Sequence, residues 1–264
     1  MILDDITAAV ARRLAADKEQ ISPEIMKKMA LSAPQKQGFP FEQALAQDGL
    51  SFICEVKRAS PSKGLIAPDF PYVTIARAYE EAGASAISCL TERDYFQGSI
   101  DYLRDIASQV SIPVLRKDFI IDEYQIYEAR ANGAAAILLI CAILDDDTLR
   151  RFFALADSLG LSALVEAHDE QEVRRAVAAG ARIIGVNNRN LKDFTVSLST
   201  SCRLRPMVPP SVLFVAESGI KTAAHTRTLR EHGVDAVLIG ETLMRAADKK
   251  AMLAELAGER HGKS

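Results

Sequence analysis

Apolar and polar residues follow two different patterns along the chain, with a change near residue 50. Before it, Ile2, Ile6, Val10 and Leu14 recur every fourth residue with charges between them, the period of an amphipathic helix. Ser22 followed by Pro23 reads as an N-cap with proline at the first helical position. It opens a second helix through Ile25, Met26 and Met29, which Ala33-Pro34 ends. Residues 41–45 fit a further short helix. After residue 50 come eight short apolar runs, at 52–56, 86–90, 112–115, 136–141, 162–165, 183–186, 212–216 and 236–239. Each is continuous rather than alternating, as strands buried on both faces of a parallel sheet require.

Helical patterns at 72–82, 123–131, 145–159, 170–179 and 222–231 lie between these runs. They end at Gly83, Gly133, Gly160, Gly180 and Gly233, where glycine suits the left-handed position past a helix C-terminus. The phrase of helix, glycine, alanine or valine, then strand repeats in EAGASAISCL, ANGAAAILLI, AAGARIIGV and EHGVDAVLIG. Strands spaced by roughly 20 to 35 residues match βα units. Eight of them predict an α/β fold, a (βα)8 TIM barrel with an N-terminal helical extension. The expected boundaries are an extension over 1–50, a barrel over 51–258 and a polar tail over 259–264, all within one domain. A doubly wound sheet is the rival, but it more often shows a glycine-rich loop after its first strand. Here the first strand runs into Glu-Val-Lys-Arg-Ala-Ser-Pro instead.

Composition narrows the function classes. The chain has 264 residues, 48% hydrophobic and 25% charged, enough for a large core without staples. A net charge of −3 argues against a broad basic surface for nucleic acid and against a polybasic membrane anchor. No apolar run reaches membrane-spanning length. The N-terminus is too charged for a signal peptide, so a cytoplasmic location is expected. Cys54, Cys89, Cys141 and Cys202 have no redox or zinc spacing and read as small core residues. No metal set is expected either. His168 alone lies near the expected site, whereas His225 and His232 read as solvated.

In such a barrel the active site lies at the C-terminal ends of the strands. Those ends hold Glu55 and Lys57, Lys117 with Asp118 and Phe119, Glu166, Asn187 with Asn188 and Arg189, Glu217, and Glu241. One such residue is an ordinary strand-end charge. Six strands contributing to the same end point to acid–base chemistry. Ser218-Gly219 and Gly240, after the last two strands, predict a phosphate site, to which Ser60 and Lys63 add a donor and a charge.

Residues 53–64, ICEVKRASPSKG, resemble the N-terminal signature of the indole-3-glycerol phosphate synthase family. Further segments follow in the family's order: LTE through YFQG, LRKDF, the Glu166 strand, GVNNRNL, and AESGI with IGE. The likeness spans nearly the whole chain. It implies closure of the indole ring in 1-(2-carboxyphenylamino)-1-deoxyribulose 5-phosphate, with loss of CO2 and water, in tryptophan biosynthesis, and no cofactor or metal. It further implies Lys117 as general acid of ring closure and Glu166 as general base of dehydration. Lys57 would hold the substrate carboxylate and share the acid work, a division left open. Glu55 and Glu217 would position lysines and substrate, and Asn187 and Arg189 would orient substrate. Ser60, Lys63, Ser218, Gly219 and Gly240 match the phosphate site. Glu241 stands where some members have serine and receives no side-chain role. Phe96, Phe119, Leu138 and Leu191 match the pocket for the phenyl ring, with Phe119 foremost. The expected partner is a small sugar phosphate, with no nucleic acid and no membrane; association with pathway enzymes is not shown by the sequence. The loop over 58–68 is expected to be mobile until phosphate binds. A phosphoribosyl anthranilate isomerase would lack the SPSKG loop, and a non-catalytic phosphate binder would have no need of Lys57, Lys117 and Glu166 together.

Overall fold

Eight parallel strands close into a barrel in the computed structural model, which describes residues 2–34, 38–190 and 193–258. They are β1 (Ser51–Val56), β2 (Ala86–Leu90), β3 (Val114–Lys117), β4 (Ala136–Ile140), β5 (Ser162–Ala167), β6 (Ile183–Asn187), β7 (Leu213–Glu217) and β8 (Ala236–Ile239). Each pairs with its neighbour in sequence, and β1 pairs with β8 to close the ring. All eight expected runs form strands. The third is shifted: the run at 112–115 becomes Val114–Lys117, because Pro113 has no N–H to donate to a ladder. Lys117 is thereby a strand residue rather than a loop residue.

The alternation of side chains sets the internal layers. Ile53, Leu115, Leu164, Ile183, Val215 and Leu238 fill the lower interior. Two residues further along β1, β3, β5 and β7 the same inward parity brings Glu55, Lys117, Glu166 and Glu217 to the upper end. Outward residues such as Cys54, Ile87, Val165 and Val237 pack against the surrounding helices. Cys54, Cys89 and Cys141 are buried and free, as read from their apolar runs, and burial pushes the Cys141 thiol up to about 12.

The amphipathic N-terminal pattern forms α1 (Ile2–Gln20), burying Ile6, Ala9, Val10 and Leu14. In α2 (Pro23–Ser32) the Ser22 hydroxyl accepts the Ile25 N–H, the expected cap. The short α3 (Pro40–Leu45) drives Phe41 and Leu45 into the bottom of the barrel, where both are fully buried. Arg182 holds Glu42 of that plug through two 2.9 Å hydrogen bonds.

The five expected helices appear as α4 (Tyr72–Glu81), α6 (Glu123–Ala131), α7 (Asp146–Ser158), α8 (Glu170–Ala178) and α10 (Ala223–Glu231), and each glycine past their ends has positive φ. Four more lie where no helix is expected: α5 (Ile100–Ala107), α9 (Ser199–Leu204), α11 (Glu241–Arg245) and α12 (Lys249–Ala257). Among the described residues no helix is long and apolar enough to cross a membrane.

Candidate active site

A cavity of about 710 Å³ opens at the C-terminal end of the barrel, a size suited to a small-molecule ligand. Its floor carries alternating charges. The Lys117 ammonium lies 2.6 Å from a Glu217 oxygen and 3.2 Å from a Glu166 oxygen. Lys57 pairs with Glu55 two residues earlier on the same face of β1. Glu55, Glu166 and Glu217 are buried, so each needs its cation or hydrogen bonds.

Two glycines make room for this charge. A Cβ at Gly240 would collide with the Glu55 carboxylate and come within 2.8 Å of Lys57 Nζ. A Cβ at Gly185 would strike the Glu217 carboxylate, with Leu164 only 3.1 Å away. Both positions lie beside carboxylates on adjoining strands, where only hydrogen fits.

The protonation states follow from the same geometry. Burial alone would lower Lys117, but Glu217, Glu166 and Glu55 override it and raise its pKa, so it is an ammonium at neutral pH. Burial would raise Glu166, yet Lys117 and His168 hold it well below the usual carboxylate range. Glu217 is pushed up to about 7 by burial and by its acidic neighbours, against the pull of Lys117. The cluster thus holds a fixed proton donor, a fixed carboxylate and a carboxyl able to change state near neutrality.

The remaining expected residues that the structure describes line the same cavity. Asn187 Nδ2 points at Glu166 Oε1 from 3.5 Å, and its own Oδ1 accepts the Arg189 N–H at 3.0 Å. Phe96, Phe119 and Leu138 line the cavity, with the two phenyl rings 6.1 Å apart. Ser60, Lys63, Ser218, Gly219 and Gly240 line it as well. Ser218 and Gly219 have successive positive φ values of 68° and 82°, which fold the backbone into a tight turn after β7. Leu191 lies outside the described residues. Glu241 pairs with Lys63 at 3.6 Å, so its carboxylate sits beside the expected phosphate groups. The loop after β1 pairs Ala59–Ser60 with Gly64–Leu65, and the Arg58 carbonyl accepts the N–H groups of Ile66 and Ala67.

Some residues come into play to which the strand-end reading gives no role. Ile2, Leu3 and Ile6 of α1 line the cavity, giving the N-terminal helix a place in the wall. Glu92, fully buried, accepts the N–H groups of Asp94, Tyr95 and Phe96 and so shapes the loop that carries Phe96. Asn188 Nδ2 donates to the Ser218 carbonyl at 3.2 Å while its Oδ1 accepts from the Ser201 N–H and hydroxyl. His168 Nε2 lies 3.3 Å from Glu166 Oε1. His225, expected in solvent, is half-buried and lines the cavity, with Nδ1 accepting the Lys221 N–H at 3.2 Å; His232 is exposed as expected. The bond to the Lys221 N–H ties the His225 ring back to the segment after β7. Among the described residues, no group of three or more His, Cys, Asp or Glu residues could hold a metal ion.

Comparison with known proteins agrees with this arrangement. The family model for indole-3-glycerol phosphate synthase matches residues 3–256. Indole-3-glycerol phosphate synthase from Ruminiclostridium cellulolyticum is 56% identical over 258 residues, covering 98% of this chain and 99% of that protein. The protein of the same name from Leuconostoc mesenteroides subsp. mesenteroides is 53% identical over 262 residues, covering 98% of this chain and all of that protein (100%). Among solved structures, thiamine phosphate pyrophosphorylase from Pyrococcus furiosus superposes with a TM-score of 0.62 at 18% identity, over 83% of this chain and 96% of that chain. A 3-hexulose-6-phosphate synthase gives 0.62 at 17% identity, over 80% and 99%; both share the barrel fold. On the span and identity of these matches, the chain belongs to the indole-3-glycerol phosphate synthase family.

Proposed function

We propose that the barrel mouth performs the family's carboxy-lyase reaction with Lys117 as the acid of ring closure and Glu166 as the base of dehydration. The observation that carries this reading is the Lys117 ammonium held between the carboxylates of Glu217 and Glu166 inside the cavity. The substrate is 1-(2-carboxyphenylamino)-1-deoxyribulose 5-phosphate, with an anionic group at each end. Its phosphate meets Lys63, Ser60 and the turn of Ser218 and Gly219, with Gly240 beside them. Its phenyl ring lies against Phe119, Phe96 and Leu138. Lys57 holds the carboxylate, and Asn187 and Arg189 orient the sugar.

Ring closure joins the aromatic carbon bearing the carboxylate to the ketone carbon. The ketone oxygen gains negative charge as its π bond breaks, and Lys117 supplies the proton that makes it a hydroxyl. Loss of CO2 then returns the electron pair of the broken bond to the ring and restores aromaticity. Departure of the hydroxyl as water needs a further proton, and Glu166 takes the proton lost from carbon as the indole double bond forms. Lys57 reaches the same region and shares the acid work. Glu55 and Glu217 hold the two lysines in place, each through a carboxylate contact.

Separate readouts of CO2 and indole test these roles. In single turnovers, Lys117→Ala slows CO2 release and indole formation together, by about 10²-fold or more. Glu166→Gln releases CO2 first while indole lags behind. Equal slowing of both products in Glu166→Gln, or a normal CO2 rate in Lys117→Ala, contradicts the assignment.

A further inference from the structure

Glu166 is gripped from a side that Lys117 does not occupy. His168 follows it by two residues and continues its inward parity just past the end of β5. The ring sits with only 17% of its side chain exposed, between two carboxylates. Its Nε2 lies 3.3 Å from Glu166 Oε1 and its Nδ1 lies 3.0 Å from Glu172 Oε2. That same Glu172 oxygen accepts the His168 backbone N–H at 2.8 Å, so Glu172 fixes both the backbone and the ring. Asp169 in turn caps α8 by accepting the Glu172 N–H at 2.9 Å. Capping of α8 is therefore complete through Asp169 and the His168 backbone, and it makes no use of the imidazole.

We propose that Glu172 and His168 form a positioning relay for Glu166, fixing the rotamer of that carboxylate and giving it a positive partner once Lys117 has donated its proton. The inference rests on the reading of Glu166 as the base of dehydration. Its physical need is clear from the order of events. After ring closure Lys117 is neutral, and Glu166 would be a buried carboxylate without a cation. A carboxylate in that condition takes up a proton and can no longer act as a base. The charged and titratable groups facing the imidazole are Glu166 from β5 and Glu172 from α8. Burial by itself would lower an imidazole, but these two carboxylates outweigh it and raise His168 to about 10, so the ring is an imidazolium at neutral pH. Nδ1 then donates to Glu172, and Nε2, 3.3 Å from Glu166 Oε1, sets its charge beside that carboxylate as an ion pair.

The test compares His168→Phe, His168→Gln, Glu166→Gln and the double variant His168→Phe/Glu166→Gln in steady-state and single-turnover assays. His168→Phe keeps the ring volume and loses both donors. It lowers kcat about tenfold or more with KM unchanged, and indole formation lags behind CO2 release. The acidic limb of its kcat profile moves to higher pH by about one unit, because Glu166 has lost an opposite charge. His168→Gln, which retains a donor, recovers part of the rate. In the Glu166→Gln background, His168→Phe costs nothing further, since it acts only through that carboxylate. A slow Glu166→Gln with a normal His168→Phe overturns the relay alone. A normal Glu166→Gln overturns the base reading and the relay with it. Full additivity in the double variant, or a lower melting temperature in His168→Phe with unchanged kcat and pH profile, also overturns the relay. Should His168→Phe fail to fold, His168→Gln and Glu172→Gln are read by the same kcat, pH-profile and additivity criteria.

Discussion

Replacing Lys117 with methionine removes one charge and keeps an unbranched side chain of similar length. In the parent, Nζ lies 2.6 Å from Glu217 and 3.2 Å from Glu166, and these two carboxylates are only 2% and 5% exposed. Removing the cation leaves the buried Glu217 carboxylate without a cation, while Glu166 keeps His168 at 3.3 Å, a loss of about 3–5 kcal/mol when Glu217 is ionised. The loss depends on pH, with a definite sign. Glu217 already sits at about 7 with the lysine present, and without it the carboxyl rises further. A carboxyl raised by folding stays protonated in the folded chain while the unfolded chain ionises. The variant's stability therefore falls as pH climbs from about 5 through 7 and beyond, by up to about 1.4 kcal/mol per pH unit for one proton. The lysine contribution in the parent is constant over that window, because its raised pKa leaves it charged at every pH below the unfolded value of 10.5. The parent's own Glu217 stays protonated up to about 7, so parent and variant fall in parallel below that pH and only the parent levels off above it. The stability deficit of Lys117→Met is thus larger at pH 8 than at pH 5.5, by about 1.4 kcal/mol. Thermal unfolding followed by circular dichroism at the two pH values measures it, and indole fluorescence reports a turnover lower by about 10²-fold or more. An equal deficit at both pH values, or turnover within about tenfold of the parent, refutes the reasoning.

Asn188→Ala deprives the Ser218 carbonyl and the Ser201 donors of their partner, costing about 2–3 kcal/mol in urea unfolding and raising KM more than it lowers kcat. Gly240→Ala drives a methyl group into the Glu55 carboxylate and against Lys57, so kcat falls while the fold persists; kinetics alongside circular dichroism check both parts. In hydrogen exchange the amides of Ile66 and Ala67, bonded to the Arg58 carbonyl, are protected in the free protein, whereas those of Ser62, Lys63 and Gly64 exchange faster and slow down with bound phosphate. Slow exchange over 62–64 without ligand contradicts the expectation that this loop orders on binding.

The barrel was legible because each strand is a continuous apolar run bounded by glycine-capped helices, and both signals are local. Two of the missed helices, α9 and α11, are short and lack a side-chain cap, and the five-residue α11 follows directly on Gly240. α5 did carry a cue in Ser99, whose hydroxyl accepts the Asp101 N–H, and in buried Leu103 and Ile106 three residues apart. α12 is likewise framed by Asp248 and by Gly258 at φ 80°. The cavity residues were legible because strand parity converts position into direction: a charge two residues past a core residue must point into the mouth. What parity cannot reach is contact between loops. Glu92, Asn188 and His168 act through partners set by tertiary packing, so their positions were visible in the sequence but their roles were not. Of the three, His168 carried the clearest cue, an inward position next to a catalytic candidate with Glu172 one helical turn further on.

The most direct test of the central claim is to incubate the purified chain with 1-(2-carboxyphenylamino)-1-deoxyribulose 5-phosphate, without added metal, and follow indole fluorescence and CO2 together. The account predicts one indole-3-glycerol phosphate and one CO2 per substrate consumed. Substrate left intact, or CO2 released with no indole formed, contradicts it.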